Sequence, residues 1–210
     1  MIMGIENNKV QLVGEIASEF TLSHKIFGER FYNVKLLVKR LSGAADVIPL
    51  LVSERIFDVT KDYKGETVSV IGQFRSSNKY VDGILHVALS VFVDEIFLTD
   101  YYSPHKNRIL LNGFICQYPY HKETRNKREL TSMTVAVNRP MKKTDYIPCI
   151  CWGRNARYAS KFDIGTQIKI TGRIQSREYR KRIGEEEFEV RTAYEVSIRN
   201  MEVVENENQN

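Results

Sequence analysis

The feature that most restricts how this chain can fold is a repeat of itself. Asn8-Lys9-Val10-Gln11-Leu12-Val13-Gly14 returns in type as Asn107-Arg108-Ile109-Leu110-Leu111-Asn112-Gly113, 99 residues later. The same offset carries Arg40 to Arg139, Asp46 to Asp145, Ile48 to Ile147 and Pro49 to Pro148. One inserted residue raises it to 100, and Gly65, Gly72 and Ser76 then meet Gly165, Gly172 and Ser176. A register held over that length marks a tandem duplication, each copy being the size of one small domain rather than of a solenoid repeat. Domains are expected at 1–98 and 107–204. The break falls near 99–106, where Ser103-Pro104 is a turn signal between two β-rich blocks, and the polar end 205–210 is expected to be disordered.

Inside each copy the pattern is that of strands. Ile168, Ile170, Gly172 and Ile174 alternate with Lys169, Thr171, Arg173 and Gln175, the period-2 signature of a half-buried strand. In the second copy, strands are expected near 107–116, 130–138, 145–152, 166–176 and 188–203, with a short helix near 155–162. Five strands with a helix after the third fit a small Greek-key barrel of the OB type, although periodicity alone also allows another small barrel or a sandwich. The expected fold is therefore all-β: two tandem five-stranded OB barrels, each with a short helix.

Charge is divided unevenly between the copies. Residues 1–100 hold 11 Lys/Arg against 13 Asp/Glu, while 101–210 hold 20 against 13, so nets of −2 and +7 make up the total of +5. A basic balance confined to one half points to a polyanionic partner for that half, with drift in surface charge as the bland alternative. No apolar run approaches the roughly 18–20 residues a bilayer span needs, and the first residues lack an export pattern. Cys116, Cys149 and Cys151 are an odd number, unlike a disulfide framework, so a soluble protein of the reducing cytoplasm is expected, without a membrane partner. Those cysteines with His121 could be written as a zinc set. On a strand, however, Cys149 and Cys151 share the inward parity of Ile147 and read as small core groups. His24, His86, His105 and His121 are scattered and no nucleophile, phosphate-loop or zinc-protease motif occurs, so neither an enzyme, a metal nor a cofactor is expected.

Four segments in order give the second copy a family resemblance: Asn107 to Gly113, Thr134-Val135-Ala136-Val137-Asn138-Arg139, Thr144 through Trp152 to Ala156, and Gly165 through Gly172 to Tyr179. Together they resemble the bacterial single-stranded DNA-binding (SSB) family. The resemblance implies an OB fold, a cytoplasmic location and sequence-tolerant binding of single-stranded DNA in replication, repair or recombination. It also implies that Tyr146, Trp152 and Tyr179, all aromatic here, stand where the family stacks bases. The residues themselves agree. Unpaired nucleic acid is held by rings on one face and a basic track beside them, and Tyr146 and Trp152 share strand parity about 20 Å apart. Expected phosphate contacts are Arg108, Arg139, Arg154, Lys169, Arg173, Arg177, Arg180 and Lys181. The loops at 121–128 and 177–182 are the two with which OB folds grip oligonucleotides, although Glu185-Glu186-Glu187 offsets the second. The competing reading of Trp152 is a core residue, and that of any one cation a solvated surface charge.

The first copy resembles the family only through its sister. Tyr146 aligns with Val47, Trp152 with Ser53 and Tyr179 with Lys79, so the stacking set is missing. Val47-Ile48-Pro49-Leu50-Leu51-Val52 is apolar at both parities, as in a strand covered on both faces. Its outward face is expected to be buried against the second copy or across a homodimer, the layout of SSBs that carry two OB units per chain. The C-terminal residues lack the acidic tip and final Phe through which relatives recruit replication and repair proteins. The alternative function is that of an accessory OB protein, like the SSB-related primosomal protein, acting mainly through protein partners.

Overall fold

The structure is a computed structural model that describes residues 7–81, 84–100, 104–184 and 187–204. The polar end 205–210, Glu185, Glu186 and the side chain of Lys79 lie outside the described residues. In the first half the strands are β1 (Asn8–Ile16), β2 (Thr21–Ile26), β3 (Glu29–Lys39), β4 (Ala45–Ser53), β5 (Thr67–Val81) and β6 (Ile84–Leu98). In the second they are β7 (Lys106–Ile115), β8 (Tyr120–Glu123), β9 (Glu129–Arg139), β10 (Lys143–Trp152), β11 (Gln167–Arg182) and β12 (Phe188–Val203), with the helix α1 (Arg154–Ala159) after β10.

The strand order is β2-β3-β4-β6-β5-β1-β7-β11-β12-β10-β9-β8, which reads the same from both ends once the second half is renamed after the first. The molecule therefore has an internal pseudo-twofold relation. Within each half the first strand turns back onto the third, β1 onto β3 and β7 onto β9, which closes a five-stranded barrel. This is the OB fold, all-β and present twice. Period-2 burial fills each barrel: Val10, Leu12 and Ile16 from β1, Ile48, Leu50 and Val52 from β4, and their counterparts Ile109, Leu111, Ile147 and Cys149. The repeated glycines are places where two backbones approach. A Cβ at Gly172 would lie 2.3 Å from the Ser197 carbonyl oxygen, and one at Gly72 would lie 2.3 Å from that of Phe92. Both sit at a shift of register in their hairpins, where a side chain would force the strands apart.

Three details differ from expectation. β2 and β8 are short edge strands on β3 and β9, and β8 overlaps the loop expected at 121–128. The hairpin β11–β12 pairs as far as Arg182 opposite Phe188, well beyond the expected strand end near 176. Only the second half carries a helix among the described residues. In the first half the equivalent segment, Glu54-Arg55-Ile56-Phe57-Asp58-Val59-Thr60, makes turns. It has β-branched residues where α1 has alanines, and the Asp58 carboxylate accepts hydrogen bonds from the Thr60 amide (3.2 Å) and hydroxyl (2.6 Å), a local closure that competes with helix.

The two halves are held by β1 against β7, antiparallel with Val10 opposite Ile109, and by a reciprocal pair of buried clasps. The Asp145 carboxylate accepts from the Ser76 amide at 2.7 Å, while the Ser76 hydroxyl oxygen accepts from the Tyr146 amide at 3.0 Å. In mirror fashion, Asp46 accepts from the Ser176 amide at 2.9 Å and the Ser176 hydroxyl oxygen accepts from the Val47 amide at 3.1 Å. Both carboxylates are wholly buried, and each is met by its own arginine, Arg139 for Asp145 and Arg40 for Asp46. The recurring Arg, Asp and Ser of the repeat are thus the fastening between its copies.

Candidate nucleic-acid interface

β10 sorts its side chains strictly by parity. Asp145, Ile147, Cys149 and Cys151 point into the barrel, and Tyr146, Pro148, Ile150 and Trp152 point out. Of the outward set, Ile150 is covered at 6% exposure, whereas Tyr146 is 53% and Trp152 37% exposed. On β9 Tyr146 faces Ala136, a small residue that does not reach over its ring, whereas Trp152 faces Leu130. The Trp152 ring is met from one side by the Arg128 guanidinium, 5.0 Å from its centroid. A half-open indole beside a cation is suited to receiving a base on its remaining surface while the cation meets phosphate.

Two residues of this face were missed in the sequence. Tyr120 stands opposite Ser132, and so in line with Ile150, and both Tyr118 and Tyr120 are exposed. The ammonium of Lys122 lies 5.9 Å from the Tyr120 ring centroid. The signal was the run Tyr118-Pro119-Tyr120-His121-Lys122, in which two rings are followed by two basic groups.

Tyr179 stands apart from that row. It lies far along β11, 38% exposed, with the Arg177 guanidinium 5.9 Å from its ring centroid. Together with Pro148 and Tyr194 it lines a groove of about 1050 Å³ whose other wall comes from the first half. Arg180 and Lys181 follow it, exposed on the outer part of the hairpin, and Arg154 is exposed at the start of α1. Lys169 and Arg177 hold surface ion pairs, to Glu202 at 3.5 Å and Glu195 at 3.8 Å, of the kind that exchange readily for another anion. Arg108 and Arg173 line, with Lys106 and Arg199, a separate basic groove of about 670 Å³ that contains no aromatic side chain.

Arg139 is placed differently from the other cations: its Nε lies 3.0 Å from the buried Asp145 carboxylate, so it takes part in the clasp. Burial pushes the Asp145 carboxyl above the ordinary carboxylate range, against the opposing pull of the Ser76 amide, Arg139 and Arg75. The thiols behave as core groups. Burial pushes Cys151 up to about 12 and Cys149 also upward. As thiols they donate weakly to carbonyls, Cys149 to Ile147 at 3.5 Å and Cys151 to Asn155 at 3.5 Å. No cluster of His, Cys, Asp and Glu able to hold a metal ion occurs among the described residues.

Two closed barrels with a ring-bearing outward face and basic loops place the molecule in the class of OB-fold proteins. Residues 106–204 match the sequence model of the Single-strand binding protein family. The chain is 32% identical over 89 residues to single-stranded DNA-binding protein 1 of Lactococcus lactis, a match over 39% of this chain and 59% of that protein. It is 30% identical, again over 89 residues, to single-stranded DNA-binding protein A of Bacillus subtilis, over 39% of this chain and 52% of that protein. The chain thus spans little more than half the length of these relatives. In fold the likeness extends to the whole molecule: the single-stranded DNA binding protein of Thermus aquaticus superposes with a TM-score of 0.77 at 17% identity, over 97% of this chain and 95% of that one.

Proposed function

We propose that this protein binds single-stranded DNA without sequence preference, in replication, repair or recombination, and has no catalytic role. Stacking is the work of the second unit, through Tyr146 and Trp152 with Tyr120 beside them and Tyr179 farther along the strand's path. Arg128, Arg154, Arg177, Arg180 and Lys181 supply phosphate contacts, and Arg108, Lys169 and Arg173 extend the positive track. The observation that carries this reading is the contrast along β10, where Ile147, Cys149 and Cys151 are sealed in the core while Tyr146 and Trp152 on the opposite face remain open. A half-open ring contributes only part of its surface to the barrel, and unpaired bases are a ligand whose faces such rings can accept.

The first unit acts as scaffold for the second through the Asp46 and Asp145 clasps, and the chain works as a homodimer in the cytoplasm. Among the described residues no helix is long and apolar enough to cross a membrane. Titration with oligo-dT tests the binding: Trp152, the only tryptophan, is quenched on stacking, and affinity falls steeply with salt as counterions are released. Binding that leaves Trp152 fluorescence unaltered points instead to an accessory protein working through protein contacts. Sedimentation at micromolar concentration reports the dimer as a species of twice 24.4 kDa.

A further inference from the structure

The two clasps between the units end on different residues. On β10, pairing with β12 is confined to Cys149 and Ile150, while β9 runs along the other edge from Lys143 to Trp152. Over 145–148 the edge turned away from β9 therefore lies beyond the pairing with β12, and Pro148 has no N–H to offer there. The first unit closes this edge with one residue of β5. Ser76 donates its amide to the Asp145 carboxylate at 2.7 Å and its hydroxyl to the same oxygen at 3.3 Å, and the hydroxyl oxygen accepts the Tyr146 amide at 3.0 Å. A single residue thus grips the peptide from which the Tyr146 ring projects. The ring itself is exposed and faces the small Ala136, so its place is set by that backbone more than by packing.

The mirror contact has the same chemistry and a different end point. Ser176 donates its amide to Asp46 at 2.9 Å, and its hydroxyl oxygen accepts the Val47 amide at 3.1 Å. Val47 carries no ring, so that contact serves stability and has no stacking group to place. A stacking ring contributes fully only when it is held in the geometry that meets the base, and a supporting contact whose loss lets the backbone shift takes part of that contribution with it. We propose that Ser76 is a positioning residue for the Tyr146 ring, so that the first unit sets part of the affinity with which the second takes unpaired bases. This rests on the single-stranded DNA reading above and adds to it a dependence of the site on the neighbouring unit. It requires no contact between Ser76 and DNA.

The test uses the full chain and a dT oligomer of about 8 nucleotides, within the span of a single OB fold, with Trp152 quenching as the measure of affinity. Ser76→Ala is expected to bind about threefold to tenfold more weakly, a part of what losing a stacked ring costs. Ser76→Thr, which keeps the hydroxyl, is expected to bind like the unaltered chain. So is Ser176→Ala, which removes the same hydroxyl from the mirror clasp, and denaturant unfolding shows that each variant is folded and how much stability it has lost. A cycle with Tyr146→Ala separates positioning from structure: in that background Ser76→Ala is expected to weaken binding no further, which a merely structural role would not produce. Equal weakening by Ser76→Ala and Ser176→Ala, undiminished weakening by Ser76→Ala in the Tyr146→Ala background, or Ser76→Thr as weak as Ser76→Ala overturns the proposal. Ser76→Ala binding like the unaltered chain also overturns it, and leaves the single-stranded DNA reading standing. Absence of Trp152 quenching in the unaltered chain overturns that reading, and this proposal with it.

Discussion

The outward faces of the two barrels are built on the same strands, fastened by the same Asp and Ser residues, and yet treat aromatic side chains in opposite ways. On the second face the rings stand on β10 itself, Tyr146 opposite Ala136 and Trp152 opposite Leu130, and remain separate and partly open. On the first face β4 carries Val47, Pro49, Leu51 and Ser53, and the rings are Phe31 on β3 and Phe92 on β6, which lean together over the gap that Ser53 leaves. A duplicated barrel thus keeps its core and its fastening because both are buried and mutually dependent. Its exposed face carries no such constraint, and its rings stand on different strands in the two copies.

Changes that break this contrast are ranked by the size of their effect. Trp152→Ala combined with Tyr146→Ala removes the open rings of the second face, and oligo-dT titration should show a loss of about 2–6 kcal/mol if both stack. The fastening comes next. Asp145→Ala leaves Arg139 and the Ser76 amide without their buried partner, and denaturant unfolding should show a loss of about 3–5 kcal/mol; Asp46→Ala should match it if the two clasps are equivalent. The attempt to make the first face resemble the second, Ser53→Trp, forces a large ring under Phe31 and Phe92 and should destabilise the barrel by about 1–3 kcal/mol through overpacking. Smaller again is Arg128→Ala, expected to weaken binding by about 0.5–2 kcal/mol, the range of a cation lying over a ring, and to lower the slope of affinity against salt by about one phosphate contact.

The subtlest effect is a pH dependence. Burial raises the Asp145 carboxyl in the folded protein, so the folded state binds its proton more tightly than the unfolded chain does. Stability from this group is therefore present in full below the ordinary carboxylate pKa of about 4 and is lost as pH rises from there through the raised value. Asp145→Asn should remove that component from a plot of unfolding free energy against pH. A plot unchanged by the substitution would show that the clasp does not titrate in this way.

What the chain reveals before folding follows from how local each feature is. The alternation on β10 is local, so the outward set Tyr146 and Trp152 and the inward set Cys149 and Cys151 can be read by counting in twos. The recurrence of Arg, Asp and Ser at a fixed offset was visible, but its meaning was not, because the Asp of one copy meets the Ser of the other only after β1 pairs with β7. The pairing of Arg139 with Asp145 is likewise invisible in the order of residues. Tyr120 is not legible as a strand residue because β8 has only four residues, too few to show a period. Phe31 and Phe92 are 61 positions apart in the chain, and only the order β3-β4-β6 brings their rings together. The missing helix after β4 was a local matter of composition, and Asp58 with Thr60 was the sign of it.

The most direct test of the central claim, that the second face is an open ladder of rings for unpaired bases, is the fluorescence of Trp152 during titration with oligo-dT in low salt. Saturable quenching that is reversed by added salt and is not reproduced by double-stranded DNA is the predicted outcome. An emission that stays constant while the protein is shown to be folded would contradict it.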